Sequence, residues 1–559
     1  MPSLMARRTF LKMAGAVTGS ALAGALAYSP EAGKKFTRIG SIDVAVVGGG
    51  IAGAYTAWRL ATASDSELAG LRRKLGKHHG KLDIVLFEMS DRVGGRLLSV
   101  KPPGMPETMC ELGGMRYLTS HSHVSSLIEK VLRLEWEPFV ADQPENLVYL
   151  RRKRFRRKQF REPGVAPYDL DRSEQRLDPD ELFVRLANRL VPGVASSHTE
   201  LELGNLLKSA EINGVPLYRY GLWDLMLRNM SIEAYCMTRA AIGYDAAAWN
   251  VNAADLLFQA FDIAPNPSYR RVRQGYGTVP EQLVARFVAA GGRVEMNRRL
   301  KSFKMMSNPD ARSILNLTFD GMSEPAFARV VILAVPKRSL ELLDRVGPLF
   351  DLDTDGQLNA LLQSVRPIPL SKLILCYSTP WWQSLGLQRG RSITDLPIRQ
   401  VYYWASEAKG NSALVIYNDA DSVDYWGGMR LGRSGPYATR IAASADSQLW
   451  NKYIAPQDMV HDAARQVREM HGLQSIPEPY AAAFYDWNDD PFGGGSHLWN
   501  VGCPSWELAP KIIQPLRDVP VYIVGEAYSD HQGWVEGALR TSEMLLQQHF
   551  GFAPPPWLG

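Results

Sequence analysis

Unbroken apolar runs alternate along this chain with stretches of helical spacing, and the two patterns divide it into regions. Residues 42–47 (IDVAVV) read as a buried parallel strand, and 82–87 and 330–335 (LDIVLF, VVILAV) as further buried strands. From about 178 to 244 apolar residues recur at three- and four-residue spacing, as in Leu182, Val184, Leu186 and Leu190, then Leu222, Leu225 and Met226. That predicts a helical subdomain. At 271–297 a glycine turn, a helix opened at Pro280 and a return to strand succeed one another. Between 368 and 483 strand-like runs recur (SKLILCYS, RQVYYWAS, ALVIYND, EPYAAAFYDW), predicting an antiparallel sheet that floors a cavity. The expected class is α/β, α+β taken as a whole.

The turn after the first strand carries chemistry. Gly48, Gly50 and Gly53 give a G-x-G-x-x-G turn opening a helix over 51–62. The first glycine allows a tight turn, the second close approach of backbone to a diphosphate, and the third close packing of helix on strand. The first helical residues, Ile51 and Ala52, present N–H donors to that anion. The second strand ends at Glu88, an acceptor for ribose hydroxyls, about 35 residues past Gly53. The usual interval is about 20. An insertion is therefore expected at 64–81, a basic stretch read as a solvated helix extension and loop.

After Glu88 the run EMSDRVGGR resembles the second dinucleotide motif of the flavin amine oxidase superfamily. The resemblance implies FAD rather than NAD, with Gly94 and Gly95 passing the diphosphate and Arg96 reaching the cofactor. It extends to VYIVGEAYSDHQGWVEG at 521–537, where Glu526 would accept from the ribitol or approach the diphosphate, and Gly533, Trp534 and Val535 would lie against the flavin. It also assigns backbone near Leu300 to adenine, Gly114 and Met115 to the isoalloxazine, and Trp487 to the flavin's surroundings.

Within that superfamily ELGGMRYL (111–118) is similar to the L-amino acid oxidases, which implies that Arg116 holds a substrate carboxylate. ALVIYNDADS supplies Tyr417 as a second carboxylate partner, and TDLPIRQVYYW supplies Tyr402 and Trp404 as cavity lining. Lys372 interrupts an apolar strand, where burial without a partner is costly; the resemblance has it hold a water near the flavin. The Gly533 carbonyl would receive an ammonium hydrogen, and the Trp534 indole would wall the pocket. The implied reaction is oxidative deamination of an L-amino acid by dioxygen to a 2-oxo acid, ammonia and hydrogen peroxide. Tryptophan, phenylalanine and lysine 2-monooxygenases are also similar, whereas a monoamine-type oxidase has no use for Arg116. A non-catalytic flavoprotein scaffold is the rival from another class. Aromatic residues (Trp223, Tyr402, Trp404, Trp487, Trp534) favour a large apolar or aromatic side chain, while Asp224 and Glu233 leave a basic one open.

Composition sets the remaining bounds. A chain of 559 residues exceeds one core. A net charge of +5 does not suggest nucleic acid, and RRKRFRRK (151–158) reads as a solvated hairpin or loop. Four scattered cysteines form no metal motif and neither require nor exclude a disulfide. The paired Arg7 and Arg8, a soft Ala/Gly-rich run and a small-x-small site at Ala25 and Ala27 resemble a twin-arginine leader, implying export without stable membrane insertion. The expected organisation is this leader (1–27), a discontinuous Rossmann-like FAD-binding domain (41–115, 271–335 and 505–548), a mixed-sheet substrate-binding domain (116–170 and 336–504) and a helical subdomain (171–270). The expected partners are an L-amino acid and dioxygen, with a homodimer or larger homo-oligomer as the assembly found among similar proteins.

Overall fold

The computed structural model describes residues 42–197, 199–263, 268–306, 314–344, 356–407, 410–432, 434–441 and 447–558. The leader expected at 1–27 lies outside them.

The apolar runs at the start of the chain form a mainly parallel sheet. Ile42–Val47 lies between Ile84–Phe87 and Ala326–Leu333, parallel to both, and Arg293–Glu295 extends the sheet beyond Ile84–Phe87. Val521–Ile523 joins Ala326–Leu333 in parallel, while Leu300–Met306 and Ile314–Phe319 form an antiparallel edge. One sheet thus draws strands from stretches more than 400 residues apart in sequence, as a discontinuous nucleotide fold requires. All six residues of Ile42–Val47 are buried, including Asp43, whose carboxylate accepts from the Asp83 N–H and pairs with Lys77. Lys77 comes from the insertion at 64–81. That segment holds a short helix, Ala69–Leu75, which buries Leu71 and Leu75, so it is docked on the core as well as solvated.

The later runs form a second, seven-stranded sheet in the order Ala481–Asp486, Leu370–Tyr377, Ser412–Asp419, Gln400–Ser406, Arg391–Thr394, Leu147–Leu150, Lys153–Arg156. It is antiparallel apart from the pairing of Arg391–Thr394 with Leu147–Leu150. Its strands read as continuous apolar runs because both faces are covered. Leu373, Leu375, Ile416 and Tyr403 pack with helix Gln457–His471, while Ile374, Cys376, Val415 and Trp404 pack on the other side. The basic run at 151–158 is the tip and second strand of a hairpin, with Arg151 and Arg152 at positive φ, as its sequence predicted.

The helical region holds Pro179–Leu190, Glu200–Ser209, Leu222–Asn229, Ile232–Ala241 and Ala253–Ile263. Asp178 with Glu181, and Thr199 with Glu202, close capping boxes at the first two. All four cysteines are free thiols. No helix among the described residues is long and apolar enough to cross a membrane.

Candidate active site

A cavity of about 1650 Å³ begins at the glycine turn and runs past the second sheet into the helical region. At its first end the sequence makes room for a diphosphate. Gly48 has φ +105°, and a Cβ there would lie 2.5 Å from the Ala334 carbonyl oxygen. A Cβ on Gly53 would lie 1.9 Å from the Gly48 carbonyl oxygen, so Gly53 packs helix on turn and does not face the cavity. Gly50 differs: a Cβ would meet only Gly95 Cα at 3.8 Å, and would otherwise protrude into the cavity. The Gly94 N–H donates to the Gly49 carbonyl at 2.8 Å, holding the two glycine turns side by side. Helix Ile51–Thr62 has no acidic residue in its first turn and no side-chain cap, so its N-terminal N–H groups remain for an anion. A second N-terminus, that of Val535–Met544, also reaches the cavity wall through Trp534 and Val535.

Glu88 lines the cavity beside the glycine turn. The Gly49 N–H donates to its Oε2 (2.7 Å) and the Ser90 N–H and hydroxyl to its Oε1 (2.9 and 2.7 Å), which fixes the carboxylate at the cavity edge. Two helix N-termini, an oriented acid and a glycine cradle that side chains would fill are the donor set of a dinucleotide, and FAD fits it.

Glu526 lines the same cavity and is held from several sides. Its carboxylate accepts from Arg96 Nη1 (2.8 Å), the His497 N–H and Nδ1 (2.9 and 3.0 Å) and the Gly533 N–H (2.7 Å). Burial would raise its pKa, but Arg96 and His497 hold it down to about 2. The side chain thus positions Arg96 and the Gly533–Trp534 turn at the cavity wall, where the resemblance has it accept from the ribitol or approach the diphosphate.

Farther in, strand register sets the chemistry. Lys372 lies opposite Tyr417 on one neighbouring strand and Tyr485 on the other, so all three project from one face of the sheet. Lys372 is 4% exposed, donates to the Gly113 carbonyl and has its Nζ 4.9 Å from the centre of the Tyr417 ring. Burial lowers its pKa to about 7, against the attraction of Glu111. Glu111 is pushed upward by the same burial, although the Ser99 hydroxyl and the Tyr276 N–H donate to it.

Arg116 comes just after the bend at 113–114 and enters the cavity wall. Its guanidinium lies 4.4 Å from the centre of the Tyr269 ring and 5.1 Å from that of Phe139, and it donates at 3.3 Å to the Tyr402 hydroxyl and 3.4 Å to the Tyr244 hydroxyl. No carboxylate among the described residues lies within ion-pair distance of it. Burial opposes its charge, yet the surrounding phenols outweigh that and hold its pKa above the ordinary arginine value. It therefore stays cationic, aromatic-flanked and without an acidic partner. Arg391 nearby does have such a partner in Asp142 (3.0 Å). Burial would raise the Asp142 pKa, but Arg391 and Arg157 hold it at about 2. Trp534 stacks on Tyr269 at 6.2 Å and 12°, and Trp487 donates from Nε1 to the Leu112 carbonyl (2.7 Å) while lining the cavity.

A family model described as flavin-containing amine oxidoreductase matches residues 51–544. The chain belongs to that family. FAD is its cofactor. Among curated relatives of this flavin-containing amine oxidoreductase, Aplysianin-A of Aplysia kurodai is 26% identical over 91% of this chain and 90% of its own length. Achacin of Lissachatina fulica is 24% identical (91% and 93%), and an L-amino-acid oxidase of Demansia vestigiata 21% (89% and 84%). Putrescine oxidase, solved bound to putrescine, shares the fold at TM-score 0.61 and 17% identity, covering 91% of this chain and 98% of that one.

In this flavin-containing amine oxidoreductase the structure gathers Arg116, Lys372, Tyr417, Trp487, Gly533 and Trp534 on one cavity with Gly48, Gly50, Ile51, Ala52, Glu88, Gly95, Arg96, Gly114, Met115, Glu526 and Val535. It does not bring every expected residue there. Tyr402 stands behind Arg116, and Trp404 turns its Nε1 to the Met109 carbonyl in the core, so neither lines the cavity. Leu300 pairs with Phe319 in the sheet edge, two residues past Arg298, whose N–H donates to the Glu88 carbonyl; it too is off the cavity wall. Asp224 pairs with Arg228, and Glu233 with Arg151, both away from the cavity. Tyr244, Tyr269, Arg391 and His497 also line the cavity and were missed by sequence reasoning. His497 had a local signal, its place just after the GGG turn at 493–495, whereas the other three reach the site only through tertiary packing.

Proposed function

We propose that this chain is an L-amino acid oxidase, converting an L-amino acid, dioxygen and water to a 2-oxo acid, ammonia and hydrogen peroxide. The observation that carries the reading is Arg116, a half-buried cation with aromatic walls and no ion-pair partner among the described residues, facing a cavity large enough for cofactor and substrate. Such a group is stabilised by a carboxylate that arrives with the ligand. Putrescine, by contrast, is a diamine without one.

When bound, FAD supplies a two-electron acceptor that dioxygen regenerates. The chain's own residues do the positioning. Arg116 takes the substrate carboxylate through its two terminal nitrogens, with the hydroxyls of Tyr417 and Tyr244 as further donors. The Gly533 carbonyl receives an amine hydrogen, which fixes the substrate at both polar ends of its α-carbon. Lys372, its basicity reduced by burial, holds a water from Nζ. The stacked Trp534 and Tyr269 rings exclude solvent. Trp223, Phe183 and Phe261 line the same cavity towards the helices, and with Asp224 and Glu233 engaged elsewhere a large apolar or aromatic side chain is favoured over a basic one.

Incubating the FAD-loaded protein with the standard L-amino acids, with hydrogen peroxide, 2-oxo acid and carbon dioxide all measured, tests the reading. Peroxide with 2-oxo acid supports it. Carbon dioxide with an amide product makes the chain a 2-monooxygenase instead, and no turnover with any amino acid overturns the role given to Arg116.

A further inference from the structure

Next to the cavity, and unused by the proposed reaction, three side chains from distant segments converge. His121 ends the turn after Arg116 and Tyr117, Asp262 lies near the end of helix Ala253–Ile263, and His531 sits two residues before Gly533. His121 Nε2 is 2.8 Å from Asp262 Oδ2, His531 Nε2 is 3.7 Å from the same oxygen, and all three atoms lie within 4.8 Å of one another. Both imidazoles are about 98% buried or more.

Hydrogen bonding leaves this cluster incomplete. His531 Nδ1 faces Asp530 Oδ1 at 2.9 Å, and a carboxylate there keeps the proton on Nδ1. Nε2 of the same ring points inward, where it has no hydrogen-bond partner. At 3.7 Å from the Asp262 oxygen this buried nitrogen is too far for a hydrogen bond, and a cation held between the two would satisfy both. Two imidazole nitrogens and one carboxylate oxygen, one imidazole braced by a second carboxylate, are a transition-metal donor set. Ligand bonds of about 2.0–2.2 Å in tetrahedral geometry set ligand-to-ligand edges of roughly 3.4 Å; the 2.8 and 3.7 Å separations lie within about 0.6 Å of that, and the third, at most 4.8 Å, closes by no more than about 1.4 Å.

We propose that His121, Asp262 and His531 bind a divalent transition metal, zinc by preference, with water completing the tetrahedron. Glu200 is the poorer fourth ligand. Its Oε1 is 3.9 Å from His531 Nε2, and Arg540 already engages both of its oxygens. The ion would tie together the turn after Arg116, the helical region and the turn before Trp534. The His121 ring stands edge-on to Trp534 with centroids 5.2 Å apart, so the metal would brace the aromatic wall without touching substrate.

The test uses the full-length, FAD-loaded chain without a histidine tag. It is stripped with chelator, dialysed against Zn²⁺ or Co²⁺, and measured by elemental analysis and visible spectroscopy. About one metal per chain and the intense d–d bands of tetrahedral Co²⁺ are expected. Asp262→Asn and His531→Gln should each lose the metal and the Co²⁺ bands while keeping the flavin spectrum that reports an intact fold. Metal retained equally by wild type and both variants overturns the site, as does a wild type that retains none. Should a variant fail to fold, the wild-type Co²⁺ spectrum decides alone, because pale octahedral bands refute the assignment.

Discussion

Replacing Arg116 with methionine separates a substrate anchor from a structural cation. In the folded protein Arg116 makes two long hydrogen bonds to phenols, 3.3 and 3.4 Å, and no ion pair among the described residues. Its removal therefore loses only those long hydrogen bonds, and a methionine keeps apolar contact with Tyr269 and Phe139. Thermal stability should be little changed. Binding is a different matter. Two charge-assisted hydrogen bonds to a carboxylate, at about 1.5–3 kcal/mol each, put the lost transition-state stabilisation at roughly 3–5 kcal/mol, since part is recovered by the remaining tyrosine hydroxyls. At about 1.4 kcal/mol per decade, that is a fall of roughly 10²- to 10⁴-fold in kcat/KM for amino acids. Steady-state peroxide release and differential scanning fluorimetry on the flavin-loaded variant check both halves. A fall in kcat/KM of less than tenfold, or a large loss of stability with catalysis intact, refutes the anchor and leaves Arg116 a structural residue.

Lys372→Met should slow flavin reduction or reoxidation by about 10²-fold or more while leaving the protein folded, because a buried lysine is replaced by an apolar group of like length; unchanged stopped-flow half-reactions would remove Lys372 from the chemistry. Gly50→Val should give soluble protein that retains FAD roughly tenfold or more weakly, since its side chain would enter the cavity, whereas Gly53→Ala should fail to fold because its Cβ overlaps the Gly48 carbonyl. Flavin absorbance per chain after desalting reads the first and soluble yield the second. His471 is buried and its pKa is lowered from 6.5 to about 4, while Tyr403 and the Val467 carbonyl occupy its two nitrogens. The unfolded chain binds that proton below pH 6.5 and the folded chain does not until about 4, so stability should fall by about 3 kcal/mol as pH drops through that window. Urea midpoints across pH should show this slope in wild type, and His471→Gln should flatten it.

The strands and the nucleotide cradle were legible in the sequence because each rests on local physics. A doubly buried strand must be apolar throughout, as 42–47 nearly is, and a turn with a positive φ and backbone at contact distance admits only glycine, as at Gly48 and Gly53. Lys372 was conspicuous for the converse reason, a charge where burial forbids one without function or a partner. Partnership itself was not legible. That Glu526 holds Arg96, His497 and the Gly533 N–H, and that Trp404 turns to the core, depends on neighbours from other segments. Asp224 and Glu233 found arginines outside the cavity, and the environment of Arg116 comes from Phe139, Tyr244, Tyr269 and Tyr402 on separate elements. The sequence by itself determined which segments are strands, where a diphosphate can approach and which lone charges demand an explanation, since these rest on backbone sterics and the cost of burial. Only the tertiary structure decided which charges are satisfied and which stay open to a ligand, because that balance is struck between side chains that the chain order keeps hundreds of residues apart.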